Sequence, residues 1–141
     1  MFPPASAAAS AAAWVIVAGG GRDLAWPLAQ VRSALLQPVA ARPVLQLLHG
    51  AARGADQLIA SAADQLGWPV TAIAADWQRH GRRAGPIRNR QLLDRAQQLA
   101  VAVSTPRQPV AVLVIAFPGG PGTASLLQQA RRRSLFTSCQ P

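Results

Sequence analysis

The run Val110-Ala111-Val112-Leu113-Val114-Ile115-Ala116-Phe117 passes directly into Pro118-Gly119-Gly120-Pro121-Gly122-Thr123. Eight apolar residues without polar alternation, rich in β-branched side chains, predict a strand covered on both faces. The glycines and prolines end it abruptly. The next segment, Gly122 to Arg132, carries Leu126, Leu127 and Ala130 at helical spacing. A buried strand, a glycine-rich turn and an amphipathic helix form the repeating unit of a parallel α/β sheet.

The same unit recurs upstream. Trp14–Ala18, Val44–His49 and Val70–Ala74 are further apolar runs of strand length. Helical patterns separate them. Pro27 to Gln37 places Leu28, Val31, Leu35 and Leu36 on one stripe, with Pro27 suited to a first helical turn. Ala55 to Leu66 carries Leu58, Ile59 and Leu66, followed by Gly67 as a C-cap. Pro86 to Ala100 carries Ile87, Leu92, Leu93, Ala96 and Leu99. The order is βαβαβ, a long loop, α, β and α. It predicts an α/β fold: a doubly wound parallel sheet in a three-layer α/β/α arrangement. In such sheets the ligand sits beyond the carboxyl ends of the strands.

A chain of 141 residues fits one domain. Residues 1–13, rich in Ala, Ser and Pro, are expected to be a disordered tail rather than a secretion signal, since no basic residue precedes the apolar stretch. Residues 14–133 form the domain, Ser104–Pro109 is a surface loop, and 134–141 is a short tail too polar to promise a last strand. No apolar run approaches the roughly 18 residues of a membrane span. Cys139 is the only cysteine, so no internal disulfide forms, which fits a reducing, cytoplasmic setting. All fourteen basic residues are Arg and all five acidic ones are Asp, and the net charge is +9. That balance favours polyanions, and Arg grips phosphate through a planar fork.

Three strand ends carry glycine clusters. The first is Gly19-Gly20-Gly21-Arg22-Asp23. Its amides can point at a phosphate and Arg22 can add a charged bond; the structural alternative is a tight βα turn. It matches neither the dinucleotide fingerprint nor a Walker loop, because the third glycine is absent and the chain has no Lys. The second is His49-Gly50-Ala51-Ala52-Arg53-Gly54-Ala55-Asp56, which opens a helix and so offers an anion site. His49 stands beside no nucleophile and reads as a hydrogen-bonding residue; Asp56 suits a first helical turn whatever its function. The third is Pro118 to Thr123, where Thr123 adds a hydroxyl. Between them, Asp76-Trp77 and the arginines 79, 82, 83, 88 and 90 follow strand three. Trp77 can stack on a base or plug the core. Arg88 and Asn89 fall in the first turn of the next helix, and the other arginines suit a solvated face. Arg131–Arg133 complement a helix C-terminus.

The ordered set Gly20-Gly21-Arg22-Asp23, His49 to Asp56, Ala75-Asp76-Trp77, Ala84-Gly85-Pro86-Ile87-Arg88-Asn89 and Phe117 to Thr123 resembles the SLOG superfamily, in its YspA-like branch, over roughly residues 14–133. The resemblance implies a Rossmann-like sheet and a role in sensing or processing a nucleotide-derived ligand. It also implies relatives of different chemistry: cytokinin-activating phosphoribohydrolases, a molybdenum-cofactor carrier group and the single-strand DNA-binding protein of transformation. The phosphoribohydrolases carry a Glu three residues after the Thr of this last motif; here that residue is Leu126, and the chain has no Glu. Hydrolysis of their kind is therefore not expected.

The first expectation is a binding module for a nucleotide or nucleotide derivative. Its ligand residues are Gly19, Gly20, Gly21, Arg22, Asp23, His49, Gly50, Gly54, Asp56, Asp76, Trp77, Arg88, Asn89, Pro118, Gly119, Gly120, Gly122 and Thr123. A second is a nucleotide- or nucleoside-cleaving enzyme with Asp23, Asp56 or Asp76 as its carboxylate. A third is single-stranded nucleic-acid binding through the basic surface. No metal, membrane or further cofactor is expected, and a homo-oligomer is compatible with the sequence.

Overall fold

The computed structural model describes residues 11–141. Strands β1 (Ala13–Gly19), β2 (Val44–His49), β3 (Val70–Ala72), β4 (Val110–Ala116) and β5 (Phe136–Cys139) form one parallel sheet in the order β3-β2-β1-β4-β5. The helices are α1 (Leu28–Val39), α2 (Ala55–Gln65), a single turn α3 (Trp77–His80), α4 (Ala84–Val103) and α5 (Pro121–Arg132). A 3-10 turn, Gly81–Arg83, joins α3 to α4. The expected α/β class and the parallel, doubly wound sheet are what the chain adopts.

Both faces of the sheet are covered, which is why its central strands show no polar alternation. Trp14, Ile16 and Ala18 of β1 pack with Val31 and Leu35 of α1 and Ile59 of α2. Val15 and Val17 point the other way, onto Leu92, Leu93 and Ala96 of α4 and Leu126 and Ala130 of α5. The period of two along β1 thus divides one apolar run between two cores. The Trp14 indole also donates to the Val39 carbonyl at 3.0 Å, inside the core. That carbonyl is one of the last-turn acceptors a helix cannot satisfy itself.

The chain departs from the sequence reading at element ends. β1 begins at Ala13, Ala11 is buried and the Ala12 amide donates to Pro109. The expected tail is therefore ordered over residues 11–13, and its residues 1–10 lie outside those described. β3 stops at Ala72. Pro27 is the N-cap of α1 rather than a helical residue, and Pro38 lies in that helix's last turn. α4 starts at Ala84, so Pro86 sits in its first turn, where a missing N–H costs nothing.

The C-terminal segment is a strand after all. β5 pairs with β4 from Leu113↔Phe136 to Ala116↔Cys139. The Phe136 ring meets Trp14 edge-on at 5.7 Å. Short and polar by sequence, the segment becomes a strand because β4 otherwise exposes an unpaired edge. Among the described residues no helix is long and apolar enough to cross a membrane.

β5 should therefore contribute to stability. Phe136→Ala removes a partly buried ring and its edge-to-face contact, and should cost about 1–3 kcal/mol in chemical unfolding. A cost within about 0.5 kcal/mol, the range of ordinary surface changes, would mean the strand is not docked.

Candidate functional site

The chain leaves β1 toward β2 and β3 and then returns to lay β4 on β1's other side, so a switch point opens between the β1 and β4 carboxyl ends. There the two following loops lie against each other. The Phe117 amide donates to the Gly19 carbonyl and the Gly21 amide to the Pro118 carbonyl, both at 2.8 Å. The Gly21 carbonyl accepts from Ala55 at 3.0 Å, joining the start of α2 to the same knot.

Glycine is required there by crowding. A Cβ on Gly20 would lie 2.8 Å from the Cβ atoms of both Ala55 and Phe117. One on Gly21 would lie 2.9 Å from the Pro118 carbonyl oxygen. Gly54 has φ +72, and a Cβ on it would collide with the Arg22 backbone. A Cβ on Gly50 would occupy the place of the Arg88 guanidinium. Gly120 and Gly122 differ: nothing lies within 4 Å of where their Cβ atoms would be. The glycines of the three clusters thus divide into ones that let loops pack and ones that leave space open.

Arg88 and Asn89 tie the two sides of the switch point together. The half-buried Arg88 donates through Nη1 to the Gly50 carbonyl and through Nε to Asn89 Oδ1 at 3.1 Å. Buried Asn89 donates in turn to the Gly122 carbonyl at 3.0 Å. Burial lowers the Arg88 pKa, Asp56 opposes that, and the nearby Arg22 guanidinium adds to it. Arg88 stays cationic regardless.

Asp56 is 4% exposed. Its Oδ2 accepts from the Ala52 amide at 3.0 Å, while Oδ1 is buried with no hydrogen-bond partner among the described residues. Burial raises its pKa; the Ala52 amide, His49, Arg88 and the Gly50 amide partly offset that. Buried His49 accepts from the Ala51 amide through Nδ1 at 3.0 Å. An accepting Nδ1 must be unprotonated, in keeping with a pKa lowered by burial, against which Asp56 works.

These groups border a cleft of about 1080 Å³. From the sequence-derived set it gathers Gly19, Gly20, Gly21, Arg22, Asp23, Gly50, Asp56, Trp77, Arg88, Asn89, Pro118, Gly119, Gly120, Gly122 and Thr123. His49, Gly54 and Asp76 are not in its lining. His49 shapes the loop from behind, and Gly54 sits under the Arg22 carbonyl. Asp76 caps α3, its Oδ1 accepting from Arg79 at 3.1 Å. Trp77 is 50% exposed and does not plug the core.

The sequence reading passed over Leu24, Arg82, Ser125 and Leu126 as lining residues. Arg82 read as solvated surface, and only the 3-10 turn before α4 brings it round. Leu126 is buried and lies against Gly19, so the cleft is apolar where the phosphoribohydrolases would carry their Glu.

Residues 14–80 match the model of the YspA, cpYpsA-related SLOG family, which bears out the resemblance across β1 to α3. Comparison with curated proteins and with solved structures gives no match. Arg88 and the glycine loop after β4 lie beyond the matched segment, and the cleft joins them to it.

The His49 contact sets a pH dependence. A folded-state pKa below the ordinary 6.5 means that its stabilisation is complete above 6.5 and lost as pH falls through the lowered value. His49→Leu removes the acceptor for Ala51 and should cost about 1–3 kcal/mol at neutral pH. The gap between wild type and variant should narrow on acidification. A gap independent of pH in urea unfolding would contradict a neutral, accepting imidazole.

Proposed function

We propose that the cleft binds a small, phosphate-bearing, nucleotide-type ligand, with the phosphate at the N-terminus of α5 beside Arg88. One observation carries the reading: α5 begins with no side-chain cap, and its leading Gly120 and Gly122 leave open space on the cleft. The first amides of a helix have no intrahelical acceptors and carry partial positive charge. An anion is the group that completes them. Thr123 and Ser125 add hydroxyls to the same lining.

The surrounding charges support it. Arg22 is near enough to disfavour the charge on Arg88, and no acidic side chain makes an ion pair with either among the described residues. An anion between them relieves that repulsion. The family match is consistent with a nucleotide-related role.

A buried carboxyl with a raised pKa beside a cleft also supports a second reading, hydrolysis with Asp56 as the acid. Against it stands Leu126, which leaves the neighbouring floor apolar. A purified wild type incubated with nucleoside monophosphates should release no free base by chromatography. Release abolished by Asp56→Asn would establish the enzyme instead.

Binding by calorimetry tests the first reading. A Cβ at residue 120 meets no protein atom, so Gly120→Val should leave unfolding unchanged yet weaken nucleoside monophosphate binding about tenfold or more, by filling the anion's place. Arg88→Ala should cost about 1.5–3 kcal/mol of affinity. Replacing Arg131, Arg132 and Arg133 should leave it unaltered, since screening acts within about 8–10 Å. Equal losses from both arginine sets would show a diffuse basic surface rather than a site.

A further inference from the structure

Trp77 is the exposed aromatic of the described residues, with half its surface open, whereas Trp14 is buried and Trp26 and Trp68 pack against the core. The ring is not loose. Its outer edge faces Gly85 at the start of α4, where a Cβ would stand 3.7 Å from Cη2. Asp76 caps the turn that carries it. A large apolar ring is thus held on the cleft wall without being covered, forgoing much of the gain that burial brings.

One group does approach its face. The Arg22 guanidinium carbon lies 5.7 Å from the ring centroid. The same guanidinium disfavours the charge on Arg88, deeper in the cleft. Arg22 therefore has two attractors: the Trp77 ring, and an anion when one arrives. A charge-assisted bond to phosphate is stronger than an exposed cation–π contact. Once Arg22 turns to the anion, the face it leaves is free for another planar group. A nucleobase stacked on an aromatic ring gains more than an exposed guanidinium does there.

We propose that Trp77 is the nucleobase platform of the cleft and that Arg22 occupies it until a phosphate draws the guanidinium away. The inference rests on the phosphate reading above and extends it to a mononucleotide, not a sugar phosphate or a polyphosphate alone. Phosphate and base are then captured together, because anchoring the first uncovers the surface that receives the second.

Ribose 5-phosphate, AMP and CMP are the probes, titrated by calorimetry and by tryptophan fluorescence into wild type, Trp77→Leu and Arg22→Gln, each checked for folding by circular dichroism. Wild type should bind the better of AMP and CMP at least about fivefold more tightly than ribose 5-phosphate. Trp77→Leu should abolish that preference and leave ribose 5-phosphate affinity within about twofold. Ribose 5-phosphate should change the fluorescence of wild type, as Arg22 departs, but not that of Arg22→Gln. Equal affinity of wild type for the sugar phosphate and both nucleotides overturns the platform and leaves the phosphate site standing. Failure of all three probes to bind overturns both. If Trp77→Leu weakens a short oligothymidylate and leaves mononucleotides unaltered, the ring belongs to a nucleic-acid surface and the proposal is wrong.

Discussion

The close approach of the loops after β1 and β4 is the constraint on which the rest depends. Gly21 donates to Pro118 across the switch point, and neither Gly20 nor Gly21 has room for a Cβ. The register follows from the same approach, because β1 and β4 run in step from Ala13↔Val110 to Gly19↔Ala116. Their ends arrive together, so their loops must share one place. The loop after β2 joins it when the Ala55 amide reaches Gly21. Gly20 and Gly21 leave no room for side chains of their own in the knot, and Arg22, Arg88 and Asn89 beside it line the cleft.

That cleft is under-satisfied in a specific way. Arg88 is held by two acceptors and Asp56 by backbone amides, and among the described residues the two form no ion pair with each other. A buried polar group without a partner costs free energy. The uncapped start of α5 and the uncovered Trp77 lie on one cleft. Each alone has ordinary structural explanations. Their convergence on one volume is what a ligand with an anion and a flat apolar part would resolve.

The strands and helices that build the knot were legible because parallel strands buried on both faces read as continuous apolar runs, as Val110–Phe117 does. β5 was not, since Phe136-Thr137-Ser138-Cys139 owes its conformation to the edge of β4 and the Trp14 ring, both distant in sequence. The cleft residues on glycine loops were legible by their position after strands. The division of labour among those glycines was not: Gly54 and Gly120 look alike in sequence, and only crowding at one and open space at the other separate them. His49 and Asp76 were selected as polar residues near strand ends, but each spends its side chain on a local amide. Arg82 escaped notice because nothing local distinguishes it from a solvated arginine.

The central claim is that one anion site exists at the start of α5. Nuclear magnetic resonance of isotope-labelled protein titrated with AMP tests it amide by amide. Saturable shifts concentrated at Gly122 and Thr123, with accompanying shifts at Arg22, Ala51 and Ala52, are the expected result. Shifts centred on Arg131 to Arg133, or a response spread without saturation over the arginine surface, would contradict it.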